Sequence, residues 1–383
     1  MRLMDYKLFC GEERLKYLSS QKMTTGIPYF GGKTRIGKYL YNTIFNMAVT
    51  MHDNGDKPLI FVDAFTGGGK MALSMPDGWF KLIVMNDLDY GVYCYYKCCQ
   101  ENYRLLLATV DKLVDNMNET LFNQCIQIRE EKQLDPYMCA AMTYLACALS
   151  YNNTIGKAYK PTMGENNEKQ ELDKVKARAH KTIIKVAKQF SRRDYIIENL
   201  DYIELINKYT GKSWTDTDGI VHEPIEDFSK VCNKILWYFD PPYYKETLSL
   251  GESAPYTHTF TTEETKLMTN ILATNDKLVY WIKSDYDPKE TLKTAEELKD
   301  SDNISDSLKR FYKSRLQEPL KSEMEHIFDS IEDESKGFQK ICVGGFDKGA
   351  IQQDGETSIG VEYIWTNGLP TNYTDIPKVV DKD

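Results

Sequence analysis

Ile235-Leu236-Trp237-Tyr238-Phe239 runs directly into Asp240-Pro241-Pro242-Tyr243, joining five apolar and aromatic residues to a carboxylate, two prolines and a ring. A short β-rich run ending in a rigid loop is how open α/β sheets build ligand sites at strand ends. Asp240 offers one acceptor. Pro241 and Pro242 fix φ and so aim their carbonyls, and the Pro241 carbonyl offers a second acceptor. Tyr243 presents a flat ring on which an extruded base can stack. Two acceptors around one primary amine suit an amino group conjugated to a nucleobase. Its lone pair is delocalised, and holding both N–H bonds favours the pyramidal, nucleophilic form. Pro-Pro by itself is also ordinary turn chemistry. Two further segments weigh against that plain turn.

The first is Phe61-Val62-Asp63-Ala64-Phe65-Thr66-Gly67-Gly68-Gly69, which Leu59 and Ile60 extend backwards into an apolar strand. Glycines such as Gly67 and Gly69 at a strand end let the backbone turn tightly and approach a ligand. The spacing is not G-x-G-x-x-G, so a pyrophosphate cradle is not indicated. Asp63 suits a cationic ligand such as the amino end of a sulfonium amino acid. The second is Leu82-Ile83-Val84-Met85-Asn86-Asp87, another apolar run closed by an acid. It follows the glycine strand by about twenty residues, the spacing at which nucleoside-binding folds put a carboxylate on ribose hydroxyls. Asp87 is that carboxylate, and Leu88 stands beside it to pack on an adenine ring. Taken singly, a glycine-rich turn and an Asn-Asp turn are common; three such segments together point to methyl transfer.

With these residues in view, the chain resembles the Dam-like, α-group DNA adenine N6-methyltransferases, in which cofactor motifs precede the catalytic tetrapeptide. Phe30-Gly31-Gly32-Lys33 resembles the family's N-terminal Gly-Gly-Lys segment, Asp63 to Gly69 (with Phe65) its methionine-binding loop, and Asp87 its ribose-binding acid. Asp63 stands where many members carry Glu, conserving the charge. Asn199-Leu200-Asp201-Tyr202 resembles the stretch that reaches the cofactor adenine. Tyr256 to Thr261, Lys283-Ser284-Asp285 and Glu362 to Asn367 follow in the family's order, so the resemblance spans most of residues 26 to 367. It implies S-adenosylmethionine as cofactor, S-adenosylhomocysteine as product, double-stranded DNA as substrate and no metal. Phe30, Gly31, Gly32, Lys33, Asp201 and Tyr202 join the cofactor site on this ground, and Tyr256 the DNA contacts. The same tetrapeptide serves cytosine-amino and RNA-adenine methylation, and a catalytically idle DNA-binding relative is the alternative from another class.

The chain has 383 residues and a net charge of −9. That length buries a substantial core, as one domain with a large insertion or as two. The acidic total argues mildly against a nucleic-acid partner, but distribution matters more than the sum. Lys157 to Arg193 holds eleven basic and four acidic residues, net +7, while Asp285 to Lys336 holds fifteen acidic and nine basic, net −6. The basic stretch is either a phosphate-facing surface or a solvated helix. Lys185, Lys188 and Arg192 are its candidate phosphate contacts; Asn152, Asn153 and Lys157 are candidates for reaching base edges. Nine cysteines, with Cys94, Cys98 and Cys99 clustered but not as C-x-x-C, read as reduced thiols on a buried helix. The five histidines show no ligand spacing. No run reaches the length of a membrane span, and Met1-Arg2-Leu3-Met4-Asp5 lacks a signal-peptide core. A cytoplasmic, bacterial or phage-encoded, nucleoid-associated monomer is expected, with a cognate restriction endonuclease as candidate partner.

Helices are expected over 34–51, 90–106, from Asp135-Pro136 to Leu149, over 175–190 and from Thr261 onward, with further helix in the charged 287–337. Residues 277–283 read as a strand and 214–225 as a polar loop. The expected fold is α/β: a Rossmann-like class I S-adenosylmethionine-dependent methyltransferase sheet, mixed and mostly parallel, with helices on both faces. Residues 26–95 and 195–370 would form the catalytic domain, and 96–194 a helical target-recognition insertion. Residues 1–25 would be an N-terminal extension and 371–383 a tail.

Overall fold

The computed structural model describes residues 23–29, 37–162, 167–215, 220–223, 228, 230–242, 260–285, 338–351 and 357–367. Its main elements, in chain order, are α1 (Gly37–Asp53), β1 (Ile60–Asp63), α2 (Lys70–Leu73), β2 (Leu82–Asn86), α3 (Tyr90–Asp115), α4 (Glu119–Ile128), α5 (Pro136–Leu149) and α6 (Glu168–Phe190). These are followed by β3 (Asp194–Glu198), α7 (Tyr202–Thr210), β4 (Trp214–Thr215), β5 (Val221–His222), β6 (Ile235–Phe239), α8 (Thr262–Thr274), β7 (Tyr280–Asp285), β8 (Phe338–Ile351) and β9 (Thr357–Asn367). The expected helices of 287–337, most of the N-terminal extension and the 371–383 tail lie outside the described residues.

Seven strands form one sheet in the order β3-β2-β1-β6-β7-β9-β8. The first five of these run parallel, and β9 and β8 close the sheet antiparallel. The chain steps outward from β1 through β2 to β3, then returns to β6 on the other side of β1. Strand order therefore reverses between β1 and β6, where open α/β sheets bind ligands beyond the carboxyl ends of their strands. Register places the motifs there: Asp63 at the end of β1 pairs with Met85 on one side and Tyr238 on the other. The three acid-closed apolar runs thus end along one edge.

Strands buried on both faces have no polar side, which is why these runs are continuously apolar. Their side chains still alternate between two cores. Phe61, Met85 and Leu236 enter one, together with α1, α3, α4, α5 and α6. Val62, Val84 and Trp237 enter the other, covered by α7 and α8. The helices of residues 96–194 therefore share a core with the sheet. Among the described residues no helix is long and apolar enough to cross a membrane.

Local chemistry starts the helices where the sequence places them. Asp135 accepts from the backbone of Tyr137 and Met138, with Pro136 at the first helical position. Thr261 and Glu264 form a reciprocal capping box on α8. Three expectations need correction. The second helix runs on to Asp115, past a non-helical Asn102, because Val110, Leu113 and Val114 keep burying one face between charged residues. The basic helix begins at Glu168, capped by Asn167, ahead of the apolar positions that signalled it at Val175. The 214–225 stretch is not all loop, since Trp214 and Thr215 pair antiparallel with His222 and Val221.

Candidate active site

A cavity opens at the strand ends where the order reverses. The loop after β1 (Asp63 to Gly68, then Lys70 and Met71) forms its floor, and Asn86 to Asp89 after β2 one side. Leu200, Asp201 and Tyr202 after β3 stand next to these. Tyr238, Asp240, Pro241 and Pro242 after β6 form the other wall, with Tyr29, Phe260 and Glu264 at the margin. Four loops from distant parts of the chain thus converge.

Asparagines hold those loops together. The buried Asn86 amide donates to the carbonyls of Ala64 and Leu200, each at 3.0 Å, and its Oδ1 accepts from the Leu200 N–H at 3.0 Å. Asn199 donates to the carbonyls of Asp87 at 2.8 Å and Leu88 at 3.0 Å. The glycine loop folds back with Gly67 and Gly69 at φ +46° and +68°, a region that side-chain-bearing residues rarely adopt. A Cβ at Gly69 would also come within 2.4 Å of the Tyr96 hydroxyl. That hydroxyl donates to the Gly67 carbonyl at 2.9 Å.

Asp63 is 2% exposed, and its Oδ1 has no hydrogen-bond partner among the described residues. Burial pushes its carboxyl well above the usual range, and the charge of Asp240 pushes the same way. Backbone N–H groups of Ala72 and Phe65 oppose that shift, and Oδ1 remains an acceptor open to a ligand's donor. Asp87 is differently placed: Oδ2 accepts from the Gly67 N–H at 2.7 Å and Oδ1 from the Asp89 N–H at 3.0 Å. It braces the glycine loop. Asp89 caps α3 through Val92 and pairs with Arg129 at 2.7 Å, both side chains being 2% exposed or less. Asp201 caps α7 by accepting from Ile203 at 2.8 Å, and burial raises its carboxyl. Phe65, Tyr202 and Phe260 form an aromatic wall with centroid separations of 6.0, 5.8 and 5.7 Å. Leu88 stands 46% exposed on the rim. An unpaired buried acceptor beside aromatic faces fits a ligand that joins a cationic amine to a planar base.

Of the residues singled out from sequence, Asp63, Phe65, Gly67, Asp87, Leu88, Asp201, Tyr202, Asp240, Pro241 and Pro242 meet in this one cavity. Phe30, Gly31, Gly32, Lys33, Tyr243 and Tyr256 lie outside the described residues, as does the side chain of Asn152. Lys185, Lys188 and Arg192 are not brought to the cavity. They lead into Asp194, which pairs with Leu82, the first residue of β2, so they lie toward the other end of the parallel strands. The Lys185 ammonium donates to the Met23 carbonyl at 3.0 Å. Asn153 and Lys157 lie in the turn after α5. Thr143 of that helix packs against Gly91 at the start of α3, and neither Asn153 nor Lys157 lines the cavity.

Sequence reasoning passed over Tyr29, Lys70 and Arg129; it met Phe260 only within the Tyr256 to Thr261 motif, Glu264 only as an early acid of α8, and Asp89 only as the alternative to Asp87 for the ribose. A lysine directly after three glycines was the one visible signal among the first three. Tyr29 and Arg129 carry no local pattern.

Residues 29–214 match the family model described as D12 class N6 adenine-specific DNA methyltransferase. The matched span takes in the loops after β1, β2 and β3 and ends before β6. No curated protein matches the chain.

Proposed function

We propose, for a chain whose residues 29–214 match the D12 class N6 adenine-specific DNA methyltransferases, that S-adenosylmethionine fills the strand-end cavity and that an adenine extruded from duplex DNA meets it at Asp240. The observation that carries this is Asp63 Oδ1, a buried acceptor without a partner on the cavity floor. A carboxylate taken out of water stays costly until a cation joins it. The ammonium of a sulfonium amino acid is such a cation.

The bound cofactor supplies a methyl group on positively charged sulfur. This chain's residues do the rest. Asp63 holds the ammonium. Asp87 fixes the glycine loop and accepts from the ribose hydroxyls. Phe65, Tyr202 and Phe260 take the cofactor's base between apolar faces, with Leu88 on the rim and Asp201 accepting from its amino group. Extrusion of the target costs roughly a few kcal/mol. The Asp240 carboxylate and the Pro241 carbonyl then accept its two amino hydrogens, and Tyr243 stacks on the ring. Alignment of nitrogen, methyl and sulfur supplies most of the acceleration. The amine turns acidic only once methylated, so its proton leaves after transfer, with Asp240 the adjacent acceptor.

Incubation with methyl-labelled S-adenosylmethionine and duplex DNA, followed by digestion and mass spectrometry, is expected to yield N6-methyladenine. Label on cytosine, or on RNA alone, would replace the DNA-adenine reading. Binding of both ligands without transfer would leave an idle relative.

On the DNA side, the 150–162 loop is the surface we assign to the duplex, because it follows α5, which packs against the start of α3 just after Asp89. Lys157→Gln is expected to flatten the slope of log affinity against log salt by about 0.9, the value for one phosphate contact. Replacing Lys185, Lys188 and Arg192 with Gln is expected to leave that slope near wild type. A flattened slope in the triple variant with none in Lys157→Gln would move the DNA track to α6.

A further inference from the structure

Lys70 has no role in the account above. It follows Gly69, is only 6% exposed, and lines the cavity beside Gly67, Gly68 and Met71. Among the described residues no carboxylate pairs with its ammonium and no side-chain hydrogen bond holds it. Burial lowers it to about 8, and no neighbouring acid opposes that shift. Among the described residues the other buried cations have partners: Arg129 pairs with Asp89, and Lys283 lies over the Trp365 ring at 5.3 Å. An ammonium drawn partly out of water with no charge partner is poorly compensated, and its place in a ligand cavity points to a ligand that completes it. Asp63, an unpaired acceptor of opposite sign, lines the same cavity. An α-amino acid carries one group for each.

Building on the reading that S-adenosylmethionine occupies this cavity, we propose that Lys70 binds the α-carboxylate of the cofactor's amino-acid end while Asp63 holds its ammonium. The glycine loop and its following lysine then act as a zwitterion clamp, one charge at each end of a single turn of chain.

The test is calorimetric titration of wild type, Lys70→Met and Lys70→Arg with S-adenosylhomocysteine and with decarboxylated S-adenosylmethionine, which keeps the amine and lacks the carboxylate. Lys70→Met is expected to weaken S-adenosylhomocysteine by about 10- to 100-fold, the scale of one charge-assisted hydrogen bond. The decarboxylated ligand should bind as it does to wild type. Lys70→Arg should restore most of the lost affinity. Folding is not the limiting concern, since Met replaces an unpaired buried charge with an apolar chain of similar length. Unchanged S-adenosylhomocysteine affinity in Lys70→Met, or an equal loss for both ligands, would overturn the carboxylate assignment. Wild-type protein that binds neither ligand would instead overturn the cofactor reading on which it rests.

Discussion

Asp240→Ala is expected to lower the rate of methyl transfer by about 10²–10³-fold, the range seen when one preorganised hydrogen-bonding group is removed from a transition state. Cofactor affinity should stay within a few-fold of wild type. Both halves follow from where the carboxylate sits. Asp240 leaves β6 at the strand-order reversal and lines the cavity wall with Pro241 and Pro242. On the reading proposed above it accepts from the target amine, an interaction that strengthens as the nitrogen turns pyramidal. Toward the cofactor its main effect is on Asp63, whose carboxyl its charge helps to raise. Removing that like charge favours ionised Asp63, so a loss of cofactor binding is not expected. Single-turnover methylation of a duplex and calorimetry with S-adenosylhomocysteine separate the two effects. Near wild-type turnover would remove Asp240 from the chemistry. A large loss of affinity would make it a cofactor residue.

Arg129→Met should destabilise the fold by about 3–5 kcal/mol, because it leaves Asp89 buried and charged without its partner. The pair lies at 2.7 Å with almost no solvent contact and ties the end of α4 to the start of α3. Pairing Arg129→Met with Asp89→Asn should recover most of the loss. Asn keeps the acceptor that caps Val92 and removes the stranded charge. Urea denaturation of the four proteins in this cycle, with unchanged denaturant slopes, gives the comparison. If the double variant loses as much as the two single changes added together, charge burial is not the cause. The same pair has a functional side. The Asp89 N–H donates to Asp87, which holds the glycine loop, so the single variant should also weaken cofactor binding.

What could be read in the sequence followed from periodicity and from local chemistry. β1, β2 and β6 are buried on both faces, so each appears as an unbroken apolar run, and the acid or glycines that stop the run mark the site. The starts of α5 and α8 are set by residues within one turn of each other, Asp135 with Pro136 and Thr261 with Glu264. β3 escaped notice because Asp194-Tyr195-Ile196-Ile197-Glu198 lies at the sheet's edge and is only partly buried, with charged ends. α7 is nine residues long, too short for two full repeats of an apolar face to stand out.

By itself, then, the sequence determined the apolar runs, the loops that close them and the chemical types at Asp63, Asp87 and Asp240. Tertiary structure alone decided three matters. Asp87 spends one lone pair of each oxygen on backbone N–H groups, because the fold brings Gly67 and Asp89 against it. Asp89 meets Arg129 across forty positions of chain. The basic run of α6 was one stretch of positive charge in sequence, yet its C-terminal cations lead to the starts of the parallel strands, away from the cavity. Charge and residue type are local properties and survive in one dimension. Which end of a strand a helix returns to, and which buried charge finds a partner there, depends on how the crossover connections close.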